Sequence, residues 1–245
     1  MKNISVAMAV YNGEKFIEKQ LDSILSQLKE GDEIIISYDE STDRSYEIIK
    51  DYEKRYDQVK VYANPGSGLF SNFENAIDKC QKDYIFICDQ DDLWIEDKRQ
   101  RVVDDFARYD CGMVIHNLVH IDAEDQIISE DFFTMYSIDS NLIKNFLKPR
   151  YSGCCTAFTK ELKDVILPIP RGVGAYDHWI GMVGQCFSKV YFDKHVLLLH
   201  RLHGENVTVT SRRKLTTVLR VRADLLACLI KRKITGKTRK SRKAD

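Results

Sequence analysis

The sequence predicts an α/β protein built on a mostly parallel sheet flanked by helices, and three observations point there. Short apolar runs alternate with helix-spaced segments through the first 109 residues. The runs end in polar clusters, which is where open parallel sheets bind ligands. The 44% hydrophobic content of the 245 residues suffices for one sizeable core.

Ile4 to Val10 reads as a buried strand, followed by a turn at Asn12-Gly13 and by Phe16, Ile17, Leu21, Ile24, Leu25 and Leu28 at helical spacing. The unit recurs as Glu33 to Ser37 with helix Arg44 to Tyr56, Val59 to Tyr62 with helix Phe70 to Lys79, and Tyr84 to Cys88 with helix Ile95 to Tyr109. Beyond this the pattern is less regular. Met113 to Ile121 supplies one or two strands, Asp125-Gln126 a turn, Leu142 to Leu147 a short helix, and Cys154 to Phe158 a strand. Trp179, Ile180, Val183 and Phe187 share one face of a helix over Tyr176 to Phe187. Val190 to Phe192 and Val196 to Leu199 then give two strands, with a hairpin as one arrangement.

The formal neutrality of the chain averages two unlike parts. Ser211 to Asp245 carries thirteen basic residues against Asp224 and Asp245, a charge of +11, and the remainder carries −11. Within the segment, Leu215, Val218, Leu219, Leu225, Leu226, Leu229 and Ile230 interleave with Arg220, Arg222, Lys231, Arg232 and Lys233, as in an amphipathic helix. A flexible run from Gly236 to Asp245 is expected after it. Such a helix suits an anionic membrane surface, or packs on its own domain or on a second copy. No nucleic acid is expected, because the segment has neither a reader motif nor an aromatic platform.

Seven cysteines without a paired C-x-x-C spacing argue for a reducing compartment and against a disulfide framework or zinc ribbon. Nothing reads as a signal peptide, and no run reaches the length of a membrane span, so a cytoplasmic location is expected.

Three polar clusters fall at strand ends: Tyr11-Asn12-Gly13, Asp39-Glu40-Ser41-Thr42-Asp43 and Asp89-Gln90-Asp91-Asp92. One crevice could collect all three. Three carboxylates within four residues repel one another unless neutralised; they either cap the next helix beside Glu96 and Asp97 or hold a hard divalent cation that shares its oxygen ligands with a nucleotide diphosphate. Asn64-Pro65-Gly66-Ser67-Gly68 is not a phosphate loop, since Ser71 stands where a third glycine is needed and no Gly-Lys-Ser/Thr follows.

Taken together, residues 4 to 210 resemble the family 2 glycosyltransferases. Val6-Ala7-Met8-Ala9-Val10-Tyr11-Asn12 resembles the family's opening strand, and Asp39 to Asp43 its D-G-S-x-D element with Glu40 in place of glycine. Asp89-Gln90-Asp91 matches the D-x-D metal motif, and Asp89-Gln90-Asp91-Asp92-Leu93-Trp94 is similar to a subgroup rich in bacterial rhamnosyltransferases. Asp177-His178-Trp179 resembles the acceptor-side acidic motif, and His200-Arg201-Leu202-His203-Gly204-Glu205-Asn206-Val207 an R-x-H-x-x-N element that closes the donor site.

The resemblance implies a GT-A fold over residues 1–210, with a nucleotide-sugar-binding half at 1–110, an acceptor-binding half at 111–210, and a basic helix and tail at 211–245. It implies donor contacts at Ala9, Tyr11, Asp39, Asn72, Asp89, Gln90 and Arg201, with Mn²⁺ or Mg²⁺ held by Asp91, Asp89 and His203. Asp177 is implied as the base that deprotonates the acceptor hydroxyl, with Trp94, His178 and Trp179 on the acceptor side. His200, three residues from His203, is a rival for its role, and Asp92 remains open between helix cap and metal cluster. The implied reaction is an inverting transfer from a nucleotide-diphospho-sugar, dTDP-rhamnose in the narrower reading, to a hydroxyl of a surface glycan that is lipid-linked. A peripheral position on the inner face of the cell membrane follows, and an oligomer is compatible with it. Two alternatives stand beside this: a sugar-phosphate nucleotidyltransferase, which needs a glycine-rich basic loop where Ala9 to Lys15 has none, and a non-catalytic nucleotide-sugar-binding protein.

Overall fold

The computed structural model describes residues 2–202 and 214–241. Strand β1 (Ile4–Val10) is buried at every position, because helices cover both faces of the sheet around it. Alternation along a strand sends Ile4, Val6, Met8 and Val10 into one core, with Ile17, Leu21 and Ile24 of α1 (Ile17–Leu25) and Ile49 of α2 (Ser45–Arg55). Ala7 and Ala9 face the other core, with Phe73, Ala76 and Ile77 of α3 (Leu69–Lys79).

Strands β2 (Glu33–Tyr38), β3 (Val59–Ala63) and β4 (Tyr84–Cys88) complete a parallel half ordered β3-β2-β1-β4. The sheet then continues as β7-β6-β8-β5, with β7 (Thr156–Thr159) antiparallel to both β4 and β6 (Met113–Ile121). Strand β8 (Val190–Arg201) runs parallel to β6, and β5 (Leu93–Trp94) pairs antiparallel with β8. The mostly parallel α/β expectation is therefore met in the first half, and a mixed extension carries the rest.

The irregular half departs from the sequence pattern where tertiary pairing overrides local signals. Val190 to Leu199 does not turn back as a hairpin; it forms one strand whose register shifts opposite His116 to Leu118, with exposed Lys194 and His195 on the bulged stretch. The fourth helix, α4, spans Lys98–Tyr109 and not Ile95 onward, because Leu93 and Trp94 pair with Leu199 and Leu198. Short helices α5 (Phe132–Tyr136) and α7 (Lys160–Ile166) had no sequence signal, being too brief for helical periodicity to register. Helices α6 (Leu142–Leu147) and α8 (Tyr176–Phe187) lie where the pattern puts them.

Helix α9 (Leu215–Ser241) continues past Gly236, so the helix extends into the run expected to be flexible. It packs on the second core through Leu225 and Leu229. No helix among the described residues is long and apolar enough to cross a membrane.

Candidate functional site

The loops at the carboxyl end of the parallel half are interlocked by side chains acting on backbone groups. Asn12 adopts φ 48°, a conformation its short polar side chain tolerates, and its Oδ1 accepts from the Thr42 N–H at 2.9 Å. Ser41 Oγ accepts from the Asn12 N–H at 3.1 Å and Ser45 Oγ from the Gly13 N–H at 2.7 Å. Asp43 accepts from the N–H groups of Glu14 at 2.9 Å and Ser45 at 3.0 Å, tying the start of α2 to the β1–α1 loop. Asp39 reaches the other way, accepting from Asn64 Nδ2 at 2.6 Å and the Gly68 N–H at 3.0 Å. A cavity of about 260 Å³ opens where Asn12 to Phe16, Thr42, Asp43, Gln90 and Asp91 meet, so all three polar clusters do converge.

Gln90, expected as a donor contact, joins this scaffold through its amide. Its Oε1 accepts from the Tyr11 N–H and its Nε2 donates to the Tyr11 carbonyl, both at 2.8 Å, which fixes the backbone of the exposed Tyr11. Asn72 is likewise buried, donating to the Val10 carbonyl at 3.0 Å and so holding the end of β1, while Ala9 lies buried beneath. These residues shape the donor side from behind.

Below the crevice, Asp89, Asp92, Cys154 and His200 bring their ligand atoms within 4.8 Å of one another. Asp92 caps no helix: its Oδ1 accepts from His200 Nδ1 at 2.8 Å and from the Arg201 N–H at 3.1 Å, and the side chain is wholly buried. Burial alone would drive the Asp92 carboxyl upward, but the charge of His200 and its hydrogen bond hold it below the ordinary value. Conversely, burial opposes the charged ring of His200, and the Asp92 carboxylate outweighs it, raising the imidazolium to about 12. At Asp89 the charge of His200 does not suffice; burial, reinforced by Cys154, Asp92 and Asp91, pushes its carboxyl well above the carboxylate range.

A divalent cation fits this chemistry. Asp92 Oδ2 is buried with no hydrogen-bond partner among the described residues, and at Asp89 burial and the neighbouring acids outweigh the charge of His200. His200 is the poorer ligand, because its Nδ1 is committed to Asp92. Asp91 faces the crevice, and His203 lies outside the described residues.

The segment expected on the acceptor side opens α8. Tyr176 stacks on Phe73 with ring centroids 4.3 Å apart, and its hydroxyl lies against Gly153, where a Cβ would fall only 2.3 Å from the oxygen. Glycine is thus required at 153 for the Gly153–Cys155 3₁₀ turn to approach α8. Burial, reinforced by the charges of Asp89 and Asp177, pushes the Tyr176 hydroxyl well above its ordinary value. Burial pushes the Asp177 carboxyl up to about 6, against the hydrogen bond from the His178 N–H at 2.6 Å.

Four of the expected contacts are structural instead. Trp179 is fully buried and donates to the Ile166 carbonyl at 2.8 Å, so it meets no acceptor. His178 is buried against the Asn145 carbonyl at 3.0 Å, and burial with the charge of Arg222 lowers it to about 4. Trp94 packs on Phe86 and under Lys98 Nζ, 4.5 Å from its ring. Arg201 is wholly buried, donating to the carbonyls of Asp91 at 3.0 Å and Asp122 at 2.8 Å and pairing with Asp125 at 2.5 Å. It holds the acidic loop in place. Cys154 and Tyr176 were missed, since neither a lone cysteine nor a tyrosine at a helix start carries a spacing signal.

Residues 5–166 match the family model described as glycosyl transferase family 2. An uncharacterized glycosyltransferase of Nostoc sp. is 25% identical over 213 residues, covering 83% of this chain and 66% of that protein. The dTDP-rhamnosyl transferase RfbG of Shigella flexneri is 38% identical over 103 residues, 40% of this chain and 36% of its own. The putative teichuronic acid biosynthesis glycosyltransferase TuaG of Bacillus subtilis is 28% identical over 208 residues, 84% of this chain and 81% of its own. The chain thus spans about two thirds of the Nostoc protein and about a third of RfbG. Among solved structures, S. aureus TarS 1–349 in complex with UDP-GlcNAc superposes with a TM-score of 0.72 at 15% identity, covering 92% of this chain and 66% of that one; at this identity the likeness is one of fold.

Proposed function

The chain belongs to glycosyl transferase family 2, and on that premise we propose that it transfers a sugar from a nucleotide-diphospho-sugar to a hydroxyl of a bacterial surface polysaccharide, with inversion at the anomeric carbon. The observation that carries the reading is the cavity on which Asn12, Asp43, Gln90 and Asp91 converge at the carboxyl ends of the parallel strands, where such sheets bind nucleotides.

Asp177 takes the proton of the attacking hydroxyl. A carboxyl raised to about 6 is mostly ionised at neutral pH and is a stronger base than an ordinary aspartate. The interlocked loops around Asn12, Asp39 and Asp43 supply a rigid floor for the nucleotide, with Tyr11 exposed at its edge. Asp89 and Asp91, with His203, would hold Mn²⁺ or Mg²⁺, which supplies Lewis-acid neutralisation of the departing diphosphate. Arg201 and Gln90 keep that acidic loop and Tyr11 in register.

The narrower donor, dTDP-rhamnose, is favoured by the Asp89 to Trp94 string and by the similarity to RfbG. A polysaccharide product is favoured by the likeness to TuaG, whose name assigns it to teichuronic acid biosynthesis. The test is thermal unfolding against a panel of nucleotide-sugars with and without Mn²⁺. A donor at a hundred times its Kd stabilises by about 2.7 kcal/mol, so the cognate sugar should raise Tm by several degrees, and only with metal. No shift with any donor in either condition would remove the proposal.

A further inference from the structure

We propose that the outer face of α9, together with the adjoining face of α6, docks the protein on an anionic lipid surface. Helix α9 is 27 residues long, and only one side of it is used by the fold. Leu225 and Leu229 are buried in the second core, and Arg232 reaches back to lie over the Trp179 ring at 5.7 Å. Leu215, Leu219, Leu226, Ile230 and Ile234 are all 49–72% exposed. At 3.6 residues per turn these five fall on a single stripe, about a quarter turn from Leu225 and Leu229.

A second element touches α9. Arg222 donates to the carbonyl of Leu147 at the end of α6, so that end of α6 meets α9 at Arg222. Ile143 is 71% and Leu147 61% exposed, one helical turn apart, so two helices from distant parts of the sequence present large aliphatic side chains. Scattered exposed leucines need no explanation, but a one-sided stripe of five on a single helix does.

The charges around it select the occupant. Arg220, Lys231 and Lys233 lie along exposed α9, Lys144 and Lys148 on exposed α6, and Asp224 is the only acidic residue between Leu215 and Thr235. A second copy would face this basic rim with its own, whereas an anionic headgroup layer complements it. With no spanning helix among the described residues, the geometry is that of a helix lying in the interface with its apolar stripe below the headgroups. Because α9 rests on α8, whose first turn carries Asp177, the contact would hold the acceptor side close to the lipid surface.

The test is sedimentation of the full chain with vesicles of phosphatidylcholine alone or mixed with phosphatidylglycerol. Binding is expected to the mixed vesicles only, falling with added salt. It should weaken at least roughly tenfold in Leu219→Gln/Leu226→Gln/Ile230→Gln and also in Ile143→Gln/Leu147→Gln, which leaves α9 untouched. Because these side chains are exposed, both variants should melt like the wild type. If the α9 variant misfolds, the α6 variant decides. Failure to bind the mixed vesicles, equal binding by wild type and variants, or a wild-type dimer that the substitutions dissociate would overturn the proposal. Nucleotide-sugar binding requires no vesicles, so either outcome leaves the transferase reading separately testable.

Discussion

Asp177→Asn should lower transfer by about two to four orders of magnitude while leaving donor binding near the wild-type value and raising stability. The three effects share one cause. Burial raises the Asp177 carboxyl to about 6, which suits the proposed base, and the same burial makes its charged form costly to fold. Between the ordinary value of 3.8 and about 6, the native state holds a proton that the unfolded chain has released, so stability falls as pH rises through this window and stays lower above it. Asparagine keeps the acceptor for the His178 N–H without the charge, and should therefore gain about 2–3 kcal/mol at pH 7.5 and nothing near pH 3.5. Wild-type kcat should rise through pH 6 to a plateau. Calorimetric melting at the two pH values and single-turnover transfer measure both sides; an Asn variant that is less stable and still active would remove Asp177 from its role.

Breaking the Asp92–His200 pair should have the largest structural effect. His200→Ala leaves a fully buried carboxylate without its cation, a loss of about 3–5 kcal/mol, whereas Asp92→Asn/His200→Gln should recover most of it because neither charge remains to be stranded. His200 is raised to about 12, so its contribution is complete below 6.5 and declines as pH climbs toward 12; Asp92 is lowered, so its contribution fades as pH falls below about 3.8. The wild-type advantage should accordingly peak between about pH 4 and 6.5 in urea titrations. Additive single and double variants would mean that the two side chains do not act as a pair.

The first four strands and their helices were legible because periodicity and turn residues agree there, and β1 to β4 lie close to where Ile4, Glu33, Val59 and Tyr84 open their runs. Asp39, Asp89, Asp91 and Asp177 were legible as family positions, and the cavity beside Asn12 and Asp91 supports the convergence of the strand-end clusters. The rest depended on what each residue meets. Asp92 reads equally well as a cap until β8 delivers His200 to it across 108 positions. Trp94, His178 and Trp179 carry polar hydrogens that suggest recognition, yet burial converts them to core and the polar groups of His178 and Trp179 are satisfied by backbone carbonyls. Arg201 suggested a phosphate contact; its guanidinium instead binds carbonyl oxygens, which no local pattern encodes.

The most direct measurement is release of nucleoside diphosphate from a panel of nucleotide-sugars in the presence of Mn²⁺, compared among the wild type, Asp89→Ala and Asp177→Asn. Turnover of at least one donor by the wild type, lost on chelation and in both variants while Asp177→Asn still binds that donor, is the expected result. Pyrophosphate release from a nucleoside triphosphate and a sugar phosphate, or turnover undiminished in Asp89→Ala and Asp177→Asn, would contradict it.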